Sequence, residues 1–150
     1  MTDVKKLRVL TLCTANSARS QMAEGVLRAL GDAAVASYSA GTHPSRVNPF
    51  AIRVMQEIGV DISAQHSKSV TEFINKPVDV VITVCDNAAE NCPVFPGSIE
   101  RLHWSFPDPA AAEGEEEKLS AFRAVRDGLI ERFSTFLRSR NITPHTISQP

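Results

Sequence analysis

The 150-residue chain has no apolar run long enough to span a membrane, no excess of either charge and only three cysteines. Its formal net charge of -1 gives no electrostatic basis for binding nucleic acid. The apolar run after Lys5 and Lys6 is only about six residues long, shorter than the roughly 7–15 residues of a secretory signal. We therefore expect a cytoplasmic protein with neither a nucleic-acid nor a membrane partner.

The three cysteines are an odd number in a compartment expected to be reducing, which argues against a structural disulfide framework and for chemistry. The chain also has no internal repeat and no linker. These features predict one domain over residues 1–140, with residues 141–150 as a flexible tail, and we expect a monomer.

Apolar β-branched runs alternate with amphipathic segments along the chain, which is typical of an α/β fold with a parallel sheet. The pattern predicts strands at Leu7–Leu12, Ala34–Ala40, Val78–Val84 and Ile99–Phe106, and helices from Ser17, over Asn48–Ile58, over Ser69–Ile74 and over Glu115–Ser139. Two prolines, two asparagines and a glycine make residues 86–98 a loop or a mobile helix. We predict a three-layer sandwich around a four-stranded parallel sheet.

Candidate chemical groups follow the ends of these predicted strands. Cys13, Cys85 and Asp108 each lie at or just beyond a strand's carboxyl end, where ligands bind in open parallel sheets. The loop from Cys13 to Arg19 can turn its backbone N–H groups around a tetrahedral oxyanion, with the Arg19 guanidinium supplying a planar fork of donors. The same field should lower the pKa of Cys13 and make it a nucleophile.

Other residues in these segments have more than one interpretation. No glycine lies between Cys13 and Arg19, so Asn16 is the best candidate for a left-handed backbone position. Ser20 either donates a hydrogen bond to the thiolate or only occupies the first helical turn. From residue type alone, Asp108 between two prolines is more often a turn residue. The spacing of Cys85 and Cys92, and the irregular positions of His43, His66 and His103, do not indicate a zinc site.

The segment from Cys13 to Glu24 resembles the phosphate-binding loop that low-molecular-weight tyrosine phosphatases share with arsenate reductases of the same fold, whose pattern is Cys-x-x-Asn-x-x-Arg-Ser. The resemblance implies a low-molecular-weight phosphatase-like (flavodoxin-like) sheet and an attacking sulfur at Cys13. It implies that Asp108 protonates the leaving group. It also implies a substrate site made of Thr14, Ala15, Asn16, Ser17, Ala18, Arg19 and Ser20.

The segment Val80–Pro93, with cysteines at positions 85 and 92, is similar to the redox segment of thioredoxin-coupled arsenate reductases. This resemblance implies that arsenate is reduced to arsenite, for arsenic detoxification, through an arsenic adduct on Cys13. A redox-active disulfide relay through Cys13, Cys85 and Cys92 would follow, with external thioredoxin as reductant and no bound cofactor or metal. Ala18 stands where some of these reductases carry another cysteine.

The chain departs from the family in two further places. Some members bind potassium through an asparagine, a glutamate, a serine and an aspartate; Asn16, Glu24 and Ser39 match, but Lys68 replaces the acid, so we do not expect potassium. Alanines at 110–112 replace the tyrosines that grip a phosphotyrosine ring in phosphatases. A phosphatase remains the alternative enzyme, slow phosphatase side activity is compatible with either, and a non-catalytic oxyanion sensor is the alternative outside enzymes.

Overall fold

The computed structural model of the protein describes residues 5–92 and 95–147. Strands and helices alternate along this part of the chain. In order they are β1 (Leu7–Cys13), α1 (Arg19–Gly31), β2 (Val35–Gly41), α2 (Pro49–Gln56), β3 (Val80–Thr83), α3 (Asp86–Glu90), β4 (Glu100–His103) and α4 (Glu115–Ser139). Short 3₁₀ helices cover Asp32–Ala34, Val70–Phe73 and Pro109–Ala111.

The four strands form one parallel sheet in the order β2-β1-β3-β4, flanked by helices, so the predicted α/β class is confirmed. All four residues of β3 are buried, as are the last five of β1, which is the pattern of strands covered on both faces. Because all strands run the same way, their carboxyl ends share one edge. That edge holds Cys13 and Gly41 as register partners on β1 and β2, and Thr83 and His103 as register partners on β3 and β4.

The helix boundaries follow local capping chemistry. Asn48 caps α2 by accepting a hydrogen bond from the Phe50 backbone N–H at 2.8 Å, and Pro49 occupies the first turn, where its missing N–H costs nothing. Three glutamates open α4, where they complement the positive end of the helix dipole. Both helices therefore begin where the sequence predicted.

The structure differs from the predicted elements on the β4 side of the sheet. The predicted strand at Ile99–Phe106 is regular only over Glu100–His103, although the Trp104 and Phe106 backbone N–H groups still bond to β3 and its extension at 2.8 and 3.1 Å. Within the segment predicted as loop or mobile helix, residues 86–90 form α3, and positions 93 and 94 lie outside the described residues.

The chain after α4 returns to the body of the protein. The His145 backbone N–H donates to the Leu30 carbonyl at 2.8 Å, and the side chains of Ile142 and Ile147 pack against the core. Residues 148–150 of the predicted tail lie outside the described residues. In the part of the chain that is described, no helix combines the length and apolar character needed to cross a membrane.

Candidate active site

The loop between β1 and α1 directs its backbone N–H groups to one side. Each carbonyl from Thr14 to Ala18 accepts a hydrogen bond from another part of the protein, at 2.8 to 3.1 Å. Because the peptide unit is planar and trans, each carbonyl that points outward turns the next N–H inward. The N–H groups of residues 15–19 have no acceptor within residues 5–92 and 95–147. They form the kind of donor ring that binds a tetrahedral oxyanion.

Asn16 holds this loop in shape. Its φ of 47° is the left-handed conformation predicted for it. The buried side-chain amide donates to the hydroxyl oxygens of Ser20 at 2.8 Å and Ser39 at 3.0 Å. Its carbonyl oxygen accepts from the Lys68 backbone N–H and from the Gln21 side chain, both at 2.9 Å. Asn16 thus links the loop to α1 and β2, and Ser20 lies in the first turn of α1 as part of this network.

Gly41 is required by the same loop, a role that the sequence did not reveal. It ends β2 beside Cys13, and a Cβ atom at this position would lie 2.5 Å from the Thr14 carbonyl oxygen and 2.8 Å from the Asn16 backbone nitrogen. Any side chain would therefore push the loop out of shape. The close approach becomes visible only when β2 lies beside β1, because the two segments are far apart in sequence.

Cys13 and Cys85 lie against each other in the structure. Both are buried. Interaction with Cys85, together with burial, raises the pKa of Cys13 above its ordinary value, although the Arg19 guanidinium acts in the opposite direction. The same interaction lowers the pKa of Cys85 to about 5. The two thiols therefore titrate as a pair that shares one negative charge, which differs from the lowered pKa predicted for Cys13 alone.

Further contacts surround the Cys85 sulfur. It accepts a hydrogen bond from the Ala88 backbone N–H at 3.4 Å, which caps α3, and the Thr14 hydroxyl lies 3.3 Å away. The Thr14 hydroxyl can donate its one proton to the Asn87 side-chain oxygen at 3.1 Å or to the Cys85 sulfur, but not to both. These contacts fix a nucleophilic sulfur beside Cys13, within the ordered start of α3. Thr14 and Asn87 therefore belong to the site, and the sequence gave no signal for Asn87.

Arg19 ties the start of α1 to the segment that carries Asp108. The Arg19 guanidinium donates to the Phe106 carbonyl at 2.9 Å, which ties the first residue of α1 to the segment after β4. Asp108 follows two residues later, is exposed, and accepts a hydrogen bond from the Ala110 backbone N–H at 3.0 Å. The carboxyl group thus caps the 3₁₀ helix while lying on the segment that Arg19 anchors.

Lys68 brings a partly buried ammonium group next to the Asn16 network. Its Nζ atom lies 3.4 Å from Oε1 of Glu24, whose same oxygen accepts from the Ser39 hydroxyl at 2.6 Å. Nζ also donates to the His66 carbonyl at 2.8 Å. The positive charge beside this buried carboxylate is therefore supplied by the protein itself. Within the described ranges, no group of three or more His, Cys, Asp or Glu side chains could hold a metal ion.

Cys92 lies just beyond α3 and is half-buried. Its sulfur accepts a hydrogen bond from the Arg101 guanidinium of β4 at 3.6 Å. The structure thus joins Cys13, Cys85, Thr14 and Arg19 in one cluster and places Cys92 at the far end of the short helix that Cys85 begins.

The parallel sheet with its anion-binding loop defines a cysteine-dependent, phosphatase-like protein, and residues 8–143 match the family described as low molecular weight phosphotyrosine protein phosphatase. The chain belongs to that family.

More specific similarities are to arsenate reductases. The chain is 47% identical over 135 residues to the arsenate reductase of Halalkalibacterium halodurans, a match that covers 89% of this chain and 96% of that protein. It is similar to a solved arsenate reductase in the phosphate binding state, with a TM-score of 0.78, 35% identity, and coverage of 89% of this chain and 98% of that one. The thioredoxin-dependent arsenate reductase of Corynebacterium glutamicum gives a TM-score of 0.74 at 25% identity, covering 93% of this chain and 64% of that one.

Proposed function

We propose that this protein reduces arsenate to arsenite with electrons taken from its own thiols and restored by thioredoxin. The observation that carries the proposal is a second buried thiol at the oxyanion loop, Cys85, whose sulfur lies 3.3 Å from the Thr14 hydroxyl and accepts from the Ala88 backbone N–H. A phosphatase needs only the first sulfur. A reductase needs a second one in contact with it.

The reaction begins with attack of Cys13 on arsenic. A proton passes from Cys13 to solvent, directly or by way of Cys85, so that Cys85 is again a thiolate before the next step. The Cys13 sulfur displaces a hydroxide that Asp108 protonates to water. The loop N–H groups and Arg19 hold the remaining oxygens. Asp108 as general acid fits its place on the segment that Arg19 binds through Phe106.

Electron transfer follows when the Cys85 thiolate attacks the Cys13 sulfur. The Cys13–Cys85 bond forms, the sulfur–arsenic bond breaks, and its electron pair stays on arsenic, which leaves as arsenite. Cys92 then attacks Cys85 and releases the Cys13 thiolate. Thioredoxin reduces the resulting Cys85–Cys92 disulfide. The arsenate reductases among the relatives, one of them thioredoxin-dependent, support this sequence.

We also propose that the protein works as a cytoplasmic monomer, with arsenate and thioredoxin as its partners, in arsenical resistance. It needs no potassium, because the Lys68 ammonium lies 3.4 Å from the Glu24 carboxylate and supplies the cation there. Activity with thioredoxin in potassium-free sodium buffer should therefore equal that in potassium buffer. A loss of activity without potassium would contradict this role of Lys68.

The alternative is a phosphatase acting on phosphotyrosine or a small phosphate ester, which shares the matched family but which the arsenate reductase relatives support less. Replacing Cys85 separates the two functions, and Cys85→Ser retains a side chain able to cap α3. The variant should lose arsenate-dependent oxidation of a reduced nicotinamide cofactor, coupled through thioredoxin and thioredoxin reductase, by at least about a thousandfold. Any slow hydrolysis of an aryl phosphate should remain. Reduction that survives in Cys85→Ser, or the absence of reduction by the wild type, would contradict the proposal.

A further inference from the structure

Strand β4 contacts both ends of the segment that carries the two relay cysteines. Arg101 and His103 are two residues apart on β4, so their side chains project from the same face of the sheet. Nε2 of His103 lies 2.9 Å from the carboxylate of Asp86, the residue after Cys85. The Arg101 guanidinium donates to the Cys92 sulfur at 3.6 Å. One strand thus holds the beginning of α3 and the thiol beyond its end.

The His103 contact is part of a network that fixes the start of α3. Its Nδ1 atom lies 2.7 Å from the Thr83 hydroxyl at the end of β3, and the Ser105 hydroxyl donates to Asp86 at 3.3 Å. Asp86 is therefore tied to the sheet beside Cys85. The exchange between Cys92 and Cys85 requires movement of the chain that follows, while this anchored end stays in place.

The Arg101 contact lies at a small cavity of about 200 Å³ beneath α3, lined by Val81, Thr83, Ala89, Cys92, Arg101, Leu102 and His103. Much of this lining is apolar, so a thiolate there is poorly solvated. Burial raises the pKa of the Cys92 thiol, and the Arg101 guanidinium acts against that rise. The other charged or titratable groups on these elements are Glu100 and His103 on β4 and Asp86 and Glu90 on α3. Glu100 binds Arg140, and His103 binds Asp86.

We propose that Arg101 is a positioning residue for the last internal step, orienting the Cys92 sulfur and favouring its ionisation before it attacks Cys85. The inference rests on the proposed function for its consequence in turnover. In the step, the Cys85–Cys92 bond forms, the Cys13–Cys85 bond breaks and its electron pair leaves on Cys13, near Arg19. A proton still on Cys92 passes to solvent first. Arsenite has already departed, so Arg101 affects no earlier step.

The direct test isolates the Cys92 thiol in a Cys13→Ser, Cys85→Ser protein and follows its alkylation by iodoacetamide against pH. Arg101→Gln removes the positive charge and keeps a side chain of similar length. The midpoint of the curve of alkylation rate against pH should rise by about one pH unit, and alkylation near pH 7 should be roughly tenfold slower. Arg101→Lys should restore much of the effect. The matched control is Arg138→Gln, which removes an exposed arginine from α4 and should leave the alkylation profile of Cys92 unchanged.

The second readout is the disulfide formed after arsenate is added without thioredoxin. In Arg101→Gln the burst of arsenite should equal that of wild type, whereas the Cys13–Cys85 disulfide should persist about tenfold longer before Cys85–Cys92 replaces it. Equal melting temperatures would show that the variants are folded. An unchanged alkylation profile in Arg101→Gln, or a shift equalled by Arg138→Gln, would overturn the role of Arg101. Absence of the arsenite burst in wild type would overturn the proposed function instead, and the alkylation profile would still decide on Arg101.

Discussion

At the scale of single residues, the site depends on two sulfurs that share one negative charge. Interaction with Cys85 and burial raise the pKa of Cys13. The same interaction is the main cause that lowers the pKa of Cys85 to about 5. The position of Cys13 after a strand was predictable from the sequence. The exchange of charge between the two thiols was not, because it depends on a contact between residues 72 positions apart.

Removing either thiol of the pair by substitution should shift the pKa of the thiol that remains. In a Cys92→Ser background, Cys13→Ala removes the donor to Cys85, so the pKa of Cys85 should rise by about one unit or more above 5. Cys85→Ser removes the neighbouring thiolate, so the pKa of Cys13 should fall, leaving Arg19 as the nearest charge. The ultraviolet absorbance of thiolate against pH measures both. Unshifted titrations in these variants would show that the two sulfurs are not coupled.

At the scale of elements, α2 is joined to α4 by an ion cluster around one buried arginine, Arg126. Glu57, just after α2, accepts from Arg126 at 2.8 Å and from Arg123 at 2.7 Å. Arg126 also donates to the Val54 carbonyl at 2.9 Å, and its side chain is only 3% exposed. The hydrogen bonds from Arg123 and Arg126 lower the pKa of Glu57 to about 2. The cluster therefore holds together the two helices that pack beside the site.

Glu57→Gln should lower the free energy of unfolding by about 1–2 kcal/mol at pH 7, because the buried Arg126 guanidinium loses one of its two carboxylates and keeps only Asp127, at 2.9 Å. The folded pKa of about 2 lies below the model-peptide value of 4.5. The contribution is thus complete above about pH 4.5 and is lost as the pH falls toward 2. Denaturant unfolding at pH 7 and at pH 3 should show the difference between variant and wild type shrinking.

The matched control for this cluster is Glu115→Gln. The Arg53–Glu115 pair also joins α2 to α4, but its side chains are 55% and 68% exposed. Its loss should cost less than about 0.5 kcal/mol. Equal losses of stability from the two substitutions would mean that burial of Arg126 does not determine the strength of the Glu57 cluster.

At the scale of the whole molecule, the sequence predicted the parallel sheet, the oxyanion loop and the left-handed Asn16 because each follows from local pattern. Periodicity identified the strands, and the absence of glycine in the loop left Asn16 for the strained position. The features that the sequence did not predict arise from contacts between residues that are far apart in the chain. Gly41 beneath the loop and Arg101 against Cys92 have no local signature, and the shorter β4 reflects irregular pairing before Pro107.

The central claim is that three thiols pass one oxidation from arsenic to the surface, and mass spectrometry after arsenate turnover without thioredoxin tests it most directly. Wild-type protein should carry a Cys85–Cys92 disulfide with Cys13 free, and Cys92→Ser should instead trap Cys13–Cys85, each with one arsenite released per chain. Three free thiols after exposure to arsenate, with no arsenite formed, would contradict the relay.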